Sequence, residues 1–271
     1  MQGFNPSNNV QWENNFAATP VSAGGQTATS GAIDTKGAYL QLIASTLYDS
    51  FGFWLQITST QTAATIRNVL MDLAVGAAAS ESIILPDFQI GSRGTGANFG
   101  SGGLFIPLFI PKNSRVSVRI ASNVNATTAA ICIALVEGQN EAGSMIGIFS
   151  KCDAYGVIVT GSKGTNHTPG NTGAESADAT IGTATRAYGA CIAMVGNNQT
   201  VLSALYYHWE LRISSFTRAE WRWSATTAEE LFGPFPPAPI TMNIANGEVM
   251  QVRAECSGTA EAHNVALYCF Y

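Results

Sequence analysis

Few residues in this chain have the types and spacing that chemistry requires. His167, His208 and His263 stand in three unrelated contexts: a turn-rich stretch, the run Tyr206 to Ile213, and the loop before the last apolar run. A zinc site takes three or four ligands with at least one closely spaced pair, and no histidine lies near a cysteine at such spacing. Cys132, Cys152, Cys191, Cys256 and Cys269 are odd in number and lack the pairing of metal knuckles or redox motifs. Cys132, Cys191 and Cys269 sit among apolar neighbours, where a reduced thiol behaves as a small hydrophobe. No Gly-x-Ser-x-Gly turn offers a serine nucleophile. Gly91-Ser92-Arg93-Gly94-Thr95-Gly96 and Gly161-Ser162-Lys163 lack the Gly-Lys-Ser/Thr ending of a phosphate loop and read as flexible loops. The expectation is a protein with no catalytic residue, no metal and no cofactor.

Two constellations remain. Paired carboxylates can hydrolyse glycosides, and Asp72, Glu210 and Glu220 interrupt apolar or aromatic runs. Alternation points Asp72 and Glu210 away from the core faces of their strands, which makes them solvent or interface groups. The second constellation is aromatic. Trp221-Arg222-Trp223, with Tyr206 and Tyr207 nearby, could form a platform for stacking sugars or holding a partner. Trp209 alternates with Leu211 and Ile213 and is expected to face the core.

The elements that must carry these residues are strands. The chain has 271 residues, 46% hydrophobic and only 11% charged, with a net charge of -5. That is ample material for a core and far below the roughly one quarter charged residues of an average soluble domain, so part of the exterior is expected to be covered by other subunits. With no basic run to neutralise phosphates, nucleic acid is not an expected partner. No window offers the roughly 18 to 20 apolar residues that cross a bilayer, and the first twenty residues lack a secretory pattern, so cytoplasmic synthesis is expected without a membrane partner.

Residues 1–36 are polar and small, with Phe4, Trp12 and Phe16 spaced among them, and read as an arm whose aromatic anchors dock on neighbouring subunits or along its own domain. Residues 37–137 hold about seven short apolar runs between turn formers, of which Val69, Met71, Leu73 and Val75 alternate clearly. This pattern predicts an antiparallel sandwich. Residues 138–185 are rich in Gly, Thr, Ser and Asn and read as a linker or long loop with one strand near Ala154 to Thr160. Residues 186–271 return to the apolar pattern and predict a second sandwich. Helical turns are conceivable only near Ala63 to Val69 and Thr226 to Leu231.

The second half repeats the first. At an offset of 134, Val116, Val118 and Arg119 fall on Met250, Val252 and Arg253, and Ile131, Ile133 and Leu135 fall on Val265, Leu267 and Cys269. Ile106, Leu108 and Ile110 fall on Ile240, Met242 and Ile244 at the same offset. Phe53, Leu55 and Ile57 match Trp209, Leu211 and Ile213 at an offset of 156, which would leave about 22 extra residues in the first copy around Gly91 to Gly103 and Gly76 to Ser82. The fold class expected is all-β, two tandem jelly-roll-like sandwiches behind an extended N-terminal arm.

The order Phe53-Trp54-Leu55-Gln56-Ile57, Arg67 to Gly76, Ile84-Leu85-Pro86-Asp87, Ile106 to Pro111 and Arg115 to Arg119 resembles β-sandwich virion proteins of tailed bacteriophages. The resemblance spans about a hundred residues of the first copy and, more weakly, the second. It implies a virion component, in capsid decoration, neck or tail, that works through contacts with other virion proteins and with copies of itself, and it carries no catalytic motif. The alternative is a glycan-binding module of a host-recognition apparatus, using Trp221, Trp223 and Tyr206.

Overall fold

The computed structural model of the protein describes residues 12–14, 25–58, 67–91, 100–137, 149–197, 205–224, 232–234, 239–259 and 261–271. Among them the first module contributes β1 (Trp12–Asn14), β2 (Gln26–Thr29), β3 (Leu40–Ile43), β4 (Ser50–Thr58), β5 (Val69–Val75), β6 (Ser82–Gly91), β7 (Gly100–Ile106), β8 (Val116–Ser122) and β9 (Thr128–Glu137). The second contributes β10 (Cys152–Tyr155), β11 (Val157–Ile158), β12 (Lys163–His167), β13 (Ala179–Thr183), β14 (Tyr188–Asn197), β15 (Tyr206–Ile213), β16 (Phe216–Ser224), β17 (Phe232–Pro234), β18 (Ile240–Ile244), β19 (Val249–Cys256) and β20 (His263–Phe270). The protein is all-β, as the alternation predicted.

Four antiparallel sheets make two sandwiches. Sheet I runs β1-β9-β4-β7 with β2 also on β9, and sheet II runs β3-β8-β5-β6. Phe53, Leu55 and Ile57 of sheet I meet Val69, Met71 and Leu73 of sheet II in one core. In the second module, sheet III runs β11-β12-β20-β14-β17 with β10 on β20 and β18 on β14, and sheet IV runs β13-β19-β15-β16. Trp209, Leu211 and Ile213 of sheet IV pack on Cys191, Ala193, Val195 and Leu267 of sheet III. All five cysteines are free and buried.

The duplication is visible in the pairing registers, and it reaches further than the sequence suggested. On β9, Val136 faces Trp12 and Ala129 faces Ala28; the counterparts on β20, Phe270 and His263, face Cys152 and His167. β1 and β2 therefore correspond to β10 and β12. The described part of the expected linker, residues 149–185, forms the leading edge of the second sandwich, and the described parts of the expected arm, Trp12–Asn14 and residues 25–36, belong to the first, with β1 and β2 both paired on β9. Phe4 and Phe16 lie outside the described residues.

The registers also correct the match at offset 156. Phe53 faces Leu135 as Cys191 faces Cys269, so β4 corresponds to β14. Met71 faces Ile120 as Trp209 faces Ala254, so β5 corresponds to β15. Both pairs of strands lie 138 positions apart, four more than the 134 that relates β8 to β19. The first copy is thus longer by four residues between β5 and β8, not by 22.

The two modules share a wall. Alternate residues of β14 and β20 point to opposite faces, and while Cys191, Ala193 and Leu267 fill the second core, Ile192, Met194, Tyr268 and Phe270 complete the first. Phe88 of β6 meets Tyr268 with ring centroids 4.6 Å apart. The Tyr268 hydroxyl accepts from the Gln89 amide and donates to the Asp87 carbonyl, both at 2.8 Å. The turn Gly161 to Lys163, read from the sequence as a flexible loop, docks on the first module: Asn68 Nδ2 donates to the Gly161 carbonyl and the Ser162 hydroxyl to Asp34.

Candidate functional site

The outward face of sheet IV gathers histidine, carboxylate and guanidinium groups along β15 and β19. Along β15 the core residues Tyr207, Trp209, Leu211 and Ile213 alternate with Tyr206, His208, Glu210 and Arg212. Along β19, Met250, Val252, Ala254 and Cys256 are buried while Gln251, Arg253 and Glu255 are half-exposed.

Glu210 is the centre of the lower half of this face. It accepts from Arg253 Nε at 2.7 Å and Nη2 at 3.0 Å, from the Thr217 hydroxyl at 2.6 Å and from Arg212 Nη1 at 3.2 Å. The bonds from Arg253 hold its carboxyl at about 2, below the ordinary carboxylate range. Arg253 also pairs with Glu175 at 2.8 Å, and Arg212 with Asp178 at 3.1 Å. Glu175 is raised, by desolvation first and then by the neighbouring Glu210. The expectation that Glu210 and Asp72 are solvent or interface groups is corrected here: both point away from the core yet are buried, Glu210 to 5% and Asp72 to 3% exposure. Desolvation of a lone carboxylate is prohibitive, so each is sheathed in guanidinium or ammonium donors. For Asp72 these are Arg119 Nε and Lys36 Nζ, both at 2.8 Å, together with the Asp87 amide.

Glu175, His208 and Glu210 present ligand atoms within 4.8 Å of one another. The carboxylate oxygens there already serve Arg253 and Arg212. A divalent cation would have to sit beside two guanidinium charges, and the donor set therefore fits an ion-pair network and not a metal.

A second histidine cluster lies at the end of the same core. His167 Nε2 and the Ser176 hydroxyl are 2.9 Å apart, but the hydroxyl also accepts from the Ala254 amide at 3.1 Å and His167 is 6% exposed. His167 and His263 both lie edge-on to Trp209, at 5.4 and 5.6 Å. Burial lowers both imidazoles, His263 to about 4. The two rings brace the core around Trp209.

The upper half of the face opens into a groove of about 690 Å³. Its lining includes Thr172, Tyr206, His208, Arg222, Glu255 and Ser257. His208 is set between Glu255 at 3.5 Å and Glu220 at 3.6 Å. Tyr206 is 73% exposed at the rim, anchored by its amide to the Ser257 hydroxyl at 3.0 Å. Of the expected aromatic platform, Tyr206 is in place. Trp221 is not: it is 7% exposed and belongs to the second core. Register explains the correction, because Trp221 faces Trp209, a core residue of β15, whereas Arg222 faces the outward His208. Trp223 pairs through its backbone with Tyr207, and its side chain is outside the described set. The sequence did not single out His208 and Glu255 as groove residues, although the alternation of β15 and β19 turns both outward, and Arg222 entered only as the residue between two tryptophans.

No family model and no curated protein matches the chain. Among solved structures, PNGF-II in two crystal forms is similar over 90% and 95% of this chain, at 6% and 8% identity and TM-scores of 0.41 and 0.40. The chain spans 64% of the length of those structures. The CBM22-1-CBM22-2 tandem domain of Xyn10C from Paenibacillus barcinonensis is similar over 96% of this chain and 91% of its own length, at 8% identity and a TM-score of 0.26. At these values no residue or activity passes from either protein to this one.

Proposed function

We propose that the protein is a non-catalytic binding protein whose second module holds a glycan in the groove on sheet IV. The observation that carries this reading is the joining of one exposed ring, Tyr206, to a cluster of donors and acceptors, Arg222, Glu255, Thr172 and Ser257, in an open groove of about 690 Å³. Sugars present an apolar face and a rim of hydroxyls, and a ring beside convergent polar groups serves both. Screening the intact protein on an immobilised glycan array and titrating the tightest sugar tests it. Tyr206→Ala weakens binding about tenfold, the loss of roughly 1.4 kcal/mol of ring contact, with an unchanged melting temperature. Equal affinity of wild type and Tyr206→Ala sinks the assignment of this groove.

A second reading, a virion component assembled from copies of itself, is supported by exposed apolar side chains in a chain poor in charge. Trp54 is 41% exposed beside Phe105 on sheet I, and Leu47 and Phe216 are 58% and 70% exposed. Mass photometry over a concentration series tests it: a mass fixed at that of one chain counts against self-assembly.

A further inference from the structure

Where the second module docks on the first, one hydroxyl closes the free edge of a sheet. β6 is the edge of sheet II, and its Gln89 N–H and Asp87 C=O point away from β5; the Tyr268 hydroxyl accepts from one and donates to the other, both at 2.8 Å. A hydroxyl is the side-chain group that does both with a single atom.

The same edge exists in the second module. Leu70 faces Gln89 and Ala121 in the first copy, and His208 faces Arg222 and Glu255 in the second, so Arg222 holds the place of Gln89 and Glu220 that of Asp87. β16 is the edge of sheet IV, paired with β15. The Tyr206 amide and carbonyl bond to Ser257 on the β19 side. In an antiparallel ladder the bonding direction alternates residue by residue. Tyr206 and His208 thus bond toward β19, Tyr207 and Trp209 bond toward Trp223 and Trp221 of β16, and the Arg222 N–H and Glu220 C=O face outward from the sheet. Arg222 also lines the groove.

We propose that the Arg222 N–H and the Glu220 C=O form a hydroxyl subsite, the counterpart of the cradle that Tyr268 fills on β6, and that it takes one hydroxyl of a bound sugar. This rests on the glycan reading and adds the atoms that recognise the ligand. The backbone pair fixes one hydroxyl as both donor and acceptor. The Arg222 side chain and Glu255 are then left for its neighbours.

Proline separates the backbone donor from the side chain. It removes the N–H, and an edge strand tolerates it where that N–H is outside the ladder. Arg222→Ala keeps the amide and loses the guanidinium. With the tightest-binding sugar from an array of neutral oligosaccharides, Arg222→Pro is expected to weaken affinity about tenfold beyond Arg222→Ala. Equal affinities of the two variants overturn the subsite while leaving the glycan reading standing. Amide hydrogen exchange of the wild-type protein gives a readout independent of folding by the variant: the Arg222 amide slows when the sugar is added, and an unchanged rate overturns the subsite. Silence of the wild-type protein on every sugar overturns the glycan reading and the subsite with it.

Discussion

Asp72 and Glu210 occupy one position in two copies of a sandwich, each facing an arginine across an adjacent strand: Asp72 opposite Arg119, Glu210 opposite Arg253. In both, the guanidinium Nε reaches the carboxylate, at 2.8 and 2.7 Å. Each pair sets a buried carboxylate against a half-exposed guanidinium that covers it.

Removing the buried carboxylate takes the shared acceptor from its donors: Arg119 and Lys36 lose Asp72, and Arg253 and Arg212 lose Glu210 while keeping Glu175 and Asp178. Asp72→Ala and Glu210→Ala are each expected to lower unfolding stability by about 3 kcal/mol. The double change Glu210→Met with Arg253→Leu recovers most of that loss, since an apolar pair carries no desolvation cost. Urea denaturation of the four proteins measures both effects; a double variant no more stable than Glu210→Ala refutes the account.

Acid should weaken the second module through its histidines. His263 is lowered to about 4 and His167 is lowered as well, both by burial. The unfolded chain takes up these protons near 6.5 and the folded chain does not, so their contribution is complete above about 6.5 and is lost as pH falls toward 4. Glu210, held at about 2, adds stability that is present above its unfolded value and lost only below it. Melting temperature is therefore expected to fall between pH 6.5 and 4, and His263→Gln to flatten that fall relative to its own value at pH 8.

The hydroxyl of Tyr268 satisfies two backbone groups on β6, the buried Gln89 amide and the part-buried Asp87 carbonyl. Tyr268→Phe leaves a donor and an acceptor without it and is expected to cost about 1–3 kcal/mol in thermal or urea unfolding. A cost below a few tenths of a kcal/mol would mean that solvent reaches the edge of β6.

Close approach of β12 to β20 requires a residue without a side chain. A Cβ on Gly164 would lie 2.6 Å from the backbone of Val265, and an atom there forces the strands apart. Gly164→Ala is expected to lose about 2 kcal/mol of stability, an overpacking cost. A neutral result in a melting assay would show that β12 is loosely held.

The fold class was legible because Val69, Met71, Leu73 and Val75, and Val116, Val118 and Ile120, announce their faces by alternation, and all are buried but the half-exposed Val75. The duplication was legible where both copies keep large apolar residues, in β8 with β19 and β9 with β20. It was lost at β4, whose Phe53 and Leu55 correspond to Cys191 and Ala193. Those small residues make room for Trp209 and Tyr207, which pack in the same core. The large aromatic and aliphatic residues of β15 then offered a false partner for β4. The better marker was Asp72 in its apolar run, which matches Glu210 at the offset that the structure shows. The groove was half legible: Tyr206 was named, but Trp221 was grouped with it in one aromatic platform, and only register assigns Trp221 and Arg222 to opposite faces.

Sheet III, with Leu267 turned into one core and Tyr268 into the other, binds the fates of the two halves. A chain cut between the modules would leave each fragment with a large apolar surface bare, the first around Phe88 and the second around Ile192 and Phe270. Heat is therefore expected to unfold the whole protein in a single calorimetric transition and not one module at a time.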